Sequence, residues 1–242
     1  MTAGSLLTRL EEPTFRESAI CQSVETPSRL AIDAGHLMLE AYISAAFQTW
    51  AAARTSQSWP GFWRLKRLGI RWQLKNVQRS GKEIELTGPV IIENSGVIEI
   101  GDQVIFDAKW YKPIYISLSR SDARLTIENN VFINYGTEIS LVKEVSIGAR
   151  SLIGIDCLIY DTDWHSLDGS DGEVPGEATR IGRGVWLGAR VIVLRGVTIG
   201  DNSVVAANSV VTRDIPNNVL AGGIPAKVIR SIERNRYVSS PS

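Results

Sequence analysis

Aliphatic residues recur every six positions through the C-terminal part of this 242-residue chain, and that period constrains the fold more than any single motif does. Ile147, Ile153 and Ile159 keep it, and after a gap so do Ile181, Leu187, Val193, Ile199, Val205 and Val211. Upstream, Ile127, Ile133 and Ile139 hold the same spacing, and Leu86, Ile92 and Ile98 hold it less cleanly. Glycine follows the aliphatic residue at Gly148, Gly154, Gly182, Gly188 and Gly200, while small or branched residues stand four positions on, at Ser151, Cys157, Val185, Val191, Val197, Ser203 and Ser209. Ordinary sandwich strands would give period two without this phase. A period of six predicts a coil with flat sides, each holding one short strand whose aliphatic residue points inward, with small residues where the interior narrows and glycine or polar pairs at the corners. Three sides close one coil, and stacked coils share parallel backbone ladders around one apolar column. The pattern places a mainly β solenoid over residues 84–216 and a tail over 217–242.

Residues 1–83 read differently. Residues 1–27 carry Pro13, Pro27 and scattered charges without an apolar period, as an extended arm would. From Ser28 to Arg54, Leu30, Ala34, Leu37, Met38, Ala41, Tyr42, Ala45 and Ala46 recur at three- and four-residue steps and predict a long amphipathic helix, broken at Trp59-Pro60-Gly61. Between Arg54 and Lys82 stand eight Lys/Arg and no Asp/Glu, interleaved with Trp59, Phe62, Trp63 and Trp72. Two roles fit this asymmetry: a helical cap over the open first coil, or peripheral contact of residues 54–82 with an anionic membrane surface. Across the whole chain Lys+Arg and Asp+Glu both total 26, so no overall field draws it to nucleic acid, and none is expected as a partner. Cys21 and Cys157 offer neither a disulfide framework nor metal-ligand spacing, and neither a signal-peptide core nor a membrane-length apolar run is evident, so a cytoplasmic location is expected.

Downstream of Ile147 the repeat is interrupted once. Its phase calls for a new side at residue 165, yet the next aliphatic position is Ile181, so the coil opens into a loop over 161–180. Loops that leave a rigid scaffold are favoured places for chemistry. The loop begins Asp161-Thr-Asp-Trp-His165, and His165 is the only histidine of the solenoid, the other being His36. Imidazole titrates near neutrality and suits a general base; its second ring nitrogen then needs a partner, for which Asp163 and Asp161 are the nearest acids in sequence. On a continuing strand, Asp163 and His165 would share a face.

The run IGRGVWLGARVIVLRGVTIGDNSVVAANSVVTRDIPNNVLAGGIPAKVIR from Ile181 to Arg230 resembles the hexapeptide-repeat acyltransferases, particularly their maltose/galactoside and polysaccharide O-acetyltransferase branch. The resemblance covers about residues 84–231 and leaves the first eighty uncovered. Beside the N-terminal helical extension read from the apolar period over residues 28–54, it implies a left-handed parallel β-helix, a homotrimer with active sites between subunits, and acetyl-CoA as donor without a metal. It also implies His165 as the base that takes the proton of an acceptor hydroxyl on a sugar or glycan, with Asp163 behind it. Asn134 falls where the family carries an acceptor-site asparagine, and Trp186 where a wall of the acceptor cavity or a subunit contact would lie. Ala189 and Ala207 would line the pantetheine path, the Ala189 amide serving as an oxyanion donor, and Thr212, Arg213, Lys227 and Arg230 would meet the nucleotide end of CoA. Acetylation of an antibiotic, a small alcohol or an amino sugar uses the same machinery, and a non-catalytic trimeric scaffold uses the same fold. A β-helix carbonic anhydrase would need three histidine ligands, and a nucleotidyltransferase a Gly-rich phosphate loop.

Overall fold

A computed structural model describes residues 68–70, 72–165 and 175–232, so the expected helix over 28–54, most of the basic stretch and the middle of the loop lie outside the described residues. The chain coils through three strands per turn. The first coil holds β1 (Arg79–Ser80), β2 (Glu85–Leu86) and β3 (Val90–Asn94), and the second β4 (Val97–Ile100), β5 (Ile105–Asp107) and β6 (Ile114–Leu118). The third holds β7 (Arg124–Ile127), β8 (Phe132–Asn134) and β9 (Glu138–Leu141), and the fourth β10 (Glu144–Ile147), β11 (Leu152–Ile153) and β12 (Leu158–Tyr160). Beyond the interruption come β13 (Thr179–Ile181), β14 (Trp186–Leu187) and β15 (Ile192–Val193), then β16 (Thr198–Ile199), β17 (Val204–Val205) and β18 (Val210–Val211). The chain finishes with β19 (Val219–Gly223) and β20 (Ala226–Ser231).

Equivalent strands stack into three sheets, the faces of a prism: face A (β1, β4, β7, β10, β13, β16), face B (β2, β5, β8, β11, β14, β17, β19, β20) and face C (β3, β6, β9, β12, β15, β18). Every pairing among these strands is parallel except β19 with β20. Ile127, Ile147, Ile181 and Ile199 stand in register on face A, so the sixfold aliphatic residues form an inner column. All four are essentially inaccessible to solvent. The residues four positions on are buried too, and their polar atoms serve the corners: the Ser151 hydroxyl donates to Gly182 O at 2.8 Å, the Ser203 hydroxyl to Pro216 O at 2.6 Å and the Ser209 hydroxyl to Ala206 O at 2.6 Å. A buried hydroxyl with a carbonyl partner escapes the desolvation cost that would otherwise exclude it.

Corners turn through left-handed residues, among them Asn130, Arg150 and Asn202 between faces A and B, and Gly136, Asp156, Arg190 and Asn208 between faces B and C. Their amides bond the coil below, as Asn208 N does to Ala189 O at 2.9 Å. Close stacking at the B–C corner needs glycine: a Cβ on Gly188 would lie 2.6 Å from Ala207 N.

The ladder starts earlier and ends later than the sixfold spacing suggests. β1 is exposed and held by backbone pairing to Glu99 and Ile100, so no aliphatic phase marks it, and β19 carries face B into the tail. At the N-terminal end, the described part of the extension packs Leu74 into the core, with Ile70 and Val77 against it. Helical residues occur at 68–70 and 72–73, and among the described residues no helix is long and apolar enough to cross a membrane.

Ile199→Ala should destabilise the β-helix by about 2–5 kcal/mol, read as a lower urea midpoint, because the column closes only partly over the lost methyl groups. Burial pushes the Cys157 thiol up to about 11, above its ordinary value of 9.0, so it stays protonated through neutral pH and alkylation at pH 8 should require unfolding. Since the folded protein holds that proton more tightly, stability should be unaffected by this group below pH 9 and fall as pH rises from 9 through 11.

Candidate active site

The loop leaves at the corner between faces C and A, after β12, and returns to β13 without disturbing the ladder: Ile147 still pairs with Ile181. Its entry is anchored by Asp161. That side chain is fully buried, and its carboxylate accepts three backbone amides of the coil below, Val142 N at 2.8 Å, Lys143 N at 2.7 Å and Glu144 N at 2.6 Å. A buried carboxylate surrounded by donors is satisfied where it lies, which removes Asp161 as a partner for His165.

The two stems of the loop meet. Glu177 N donates to Asp161 O at 2.8 Å, and Gly196 N of the next coil donates to Glu177 O at 3.1 Å. Arg195, beside Gly196, ties both stems through its side chain: Nε donates to Asp163 Oδ2 at 2.5 Å and Nη1 donates to Glu177 Oε1. The hydrogen bond and charge of Asp163, with the charge of Glu177, raise the already high pKa of this guanidinium further. Asp163 and His165 do not share a strand face, because the strand ends at Tyr160 and Trp164 turns through φ 62°. His165 N instead donates to the Asp163 carbonyl at 2.7 Å, and the Asp163 carboxylate faces Arg195. His165 itself is exposed on the stem. Tyr160, the residue before the stem, donates to Glu138 Oε1 at 3.2 Å, and burial together with that carboxylate pushes its phenol up to about 12.

The other candidates fall into four places. Asn134 ends β8 on the third coil and Ala189 and Ala207 follow β14 and β17 on the fifth and sixth, all at the B–C edge, where Asn134 Oδ1 accepts Tyr135 N at 2.9 Å and Ala207 is exposed. Thr212 and Arg213 are exposed at the C–A corner, the one that also bears the His165 stem. Lys227 and Arg230 are exposed on β20, opposite Gly222 and Leu220. Trp186 lies 49% exposed on the outside of face B, in an apolar column with Leu152 and Val204. Face C therefore separates His165 from Asn134, Ala189 and Ala207 within one chain: the two sets sit at its opposite edges. Sequence reasoning missed Arg195 and Glu177, because charges 18 positions apart give no local signal unless the repeat is laid out as stacked corners. Among the described residues no cluster of His, Cys, Asp and Glu has the form of a metal site.

The sequence model for "Bacterial transferase hexapeptide (six repeats)" matches residues 178–213, the two regular coils beyond the loop. Galactoside O-acetyltransferase of Escherichia coli K12 is 38% identical over 129 residues, covering 52% of this chain and 62% of that protein, so the chain spans less than two thirds of that relative's length. The hexapeptide-repeat acetyltransferase VCA0836 of Vibrio cholerae, solved with acetyl coenzyme A, is 30% identical over 68% of this chain and 76% of that one, with a TM-score of 0.46. An N-acyltransferase of Bacillus cereus, AntD, shares the fold at 21% identity, 68% and 89% coverage and a TM-score of 0.54. The architecture is the left-handed parallel β-helix of hexapeptide repeats.

Asp161→Ala should strand three amides and destabilise the protein by about 3 kcal/mol or more, measured by thermal or urea unfolding, whereas Asp163→Ala, whose carboxylate is partly exposed, should cost far less.

Proposed function

The chain belongs to the hexapeptide-repeat acyltransferases, and on that footing we propose that it is an acetyl-CoA-dependent O-acetyltransferase acting on a hydroxyl of a sugar or glycan. The observation that carries this reading is the opening of the repeat after β12, which presents His165 on an anchored stem at a corner shared with Thr212 and Arg213. His165 accepts the proton of the acceptor hydroxyl while that oxygen attacks the thioester carbonyl, and the CoA thiol leaves. Ala189 and Ala207 leave the B–C corner free of bulk, so an extended pantetheine arm can lie against their backbone, with the Ala189 amide as oxyanion donor. Exposed Arg213, Lys227 and Arg230 supply cations for the phosphates of the donor. Asn134, at the same corner three coils from the last, is assigned to the acceptor, with Trp186 as a wall or subunit contact.

A complete site needs two copies, because the His165 corner and the Asn134–Ala189–Ala207 corner are different edges of one prism. A neighbour that brings its B–C corner beside the C–A corner of the first copy assembles both, and such a head-to-tail contact closes as a ring of three when each copy turns by a third of a circle. The outward column Ile105, Phe132, Leu152, Trp186, Val204 and Leu220 on face B offers apolar surface for that contact, while face A carries the ion pairs Arg124–Glu99 and Arg180–Glu144 at 3.6 and 3.3 Å.

With acetyl-CoA and a panel of sugars and oligosaccharides, CoA release should depend on an acceptor. His165→Ala should lower that rate by about 10²–10⁴-fold with little change in unfolding midpoint, since the side chain is exposed. Equal rates for the two proteins would show the assigned base to be wrong.

A further inference from the structure

We propose that Arg195 is a positioning residue for His165: its guanidinium joins the two stems of the loop and thereby sets where the imidazole stands. The proposal rests on the reading of His165 as the base. Arg195 lies on the coil above the loop, outside the segment it holds. Its fork uses two separate N–H groups, Nε on Asp163 and Nη1 on Glu177, so one planar group fixes the spacing of two carboxylates on stems that the Glu177 N–Asp161 O bond joins only through the backbone.

The clamp reaches His165 through a short path. Asp163 offers its carboxylate to Arg195 and its carbonyl to His165 N, so a shift of Asp163 moves the histidine backbone directly. Glu177 cannot drift to compensate, because its backbone is bonded to Asp161 O on one side and to Gly196 N on the other. The space beside it is fully used: a Cβ on Gly196, whose φ is +72°, would lie 2.4 Å from Glu177 Oε2. Asp161, buried with its three amides, fixes the near end of the same stem. His165 therefore follows a buried anchor four residues before it and the clamped carboxylate two residues before it. Neither anchor touches the reacting atoms, and Asp163, held by Arg195, acts on the loop backbone through its carbonyl.

The test compares wild type with Arg195→Lys, Arg195→Ala, Asp163→Asn and the double variant Arg195→Ala/Asp163→Asn in the full chain. Four readouts are taken: kcat, KM for acetyl-CoA, the unfolding midpoint, and the imidazole resonances of His165 in histidine-labelled protein, distinguished from those of His36 with a His36→Gln variant. Arg195→Ala should shift and broaden the His165 resonances and lower kcat by about 10- to 100-fold, as small misplacements of a reacting group do, with KM for acetyl-CoA within about twofold. Arg195→Lys keeps the charge without the fork and should fall between. The double variant should lose no more than the worse single variant, because both break one clamp. His165 resonances and kcat that match wild type in Arg195→Ala would overturn the proposal. So would an unfolding midpoint that falls in step with kcat in every variant, which would make Arg195 a stability residue only. Should the wild-type protein transfer no acetyl group to any acceptor, the acyltransfer reading fails, and the His165 resonances alone decide whether Arg195 holds the histidine.

Discussion

The parallel hydrogen-bond ladder between coils is the constraint from which the rest of the molecule follows. Neighbouring strands must lie about 4.8 Å apart in fixed register, so each side of each coil accepts only a short strand, and surplus residues have to leave at a corner. The chain obeys this at two conspicuous places. Ala108–Pro113 leaves between faces B and C as a tiny hairpin closed by Lys109 and Lys112, whose ammonium groups pair with Asp107 and Asp156. The 161–178 segment leaves between faces C and A. In both cases the strands on either side pair as though nothing had been inserted.

A corner excursion gains no order from the ladder, and the loop bearing His165 is ordered at its base by charge instead. One buried carboxylate takes three amides, and one guanidinium takes two carboxylates. These interactions differ in worth. Asp161 is out of water, where unsatisfied donors cost most, so its bonds bear on whether the coil folds. The Arg195 pairs are partly solvated, where ion pairs add little to stability, so their weight falls on geometry.

Much of the fold was legible because the repeat writes the same physical requirement many times. Ile181, Leu187, Val193 and Ile199 each announce an inward position, and laying them out in threes assigns every residue a face and a corner. That layout failed where burial ceases to select residue type: β1 is exposed and has no phase, and Trp110 and Tyr111 at the hairpin tip are exposed and belong to no repeat. It also failed at Asp163, where alternation was assumed beyond the end of a strand. The sense of Asp161 was hidden for another reason. Its partners are backbone amides of residues 142–144, which carry no side-chain signature at all.

The antiparallel return of β20 along β19 changes what the end of the column offers to the surroundings. A stack of parallel coils finishes in open rows of amides and carbonyls that invite another chain to continue them, the geometry by which sheets grow into fibres. On face B the polypeptide reverses and covers its own last row, and the covering strand bears Lys227 and Arg230. The same cations proposed for ligand recognition thus stand where like charges discourage end-to-end growth, and substitutions that neutralise them would leave that edge open to association.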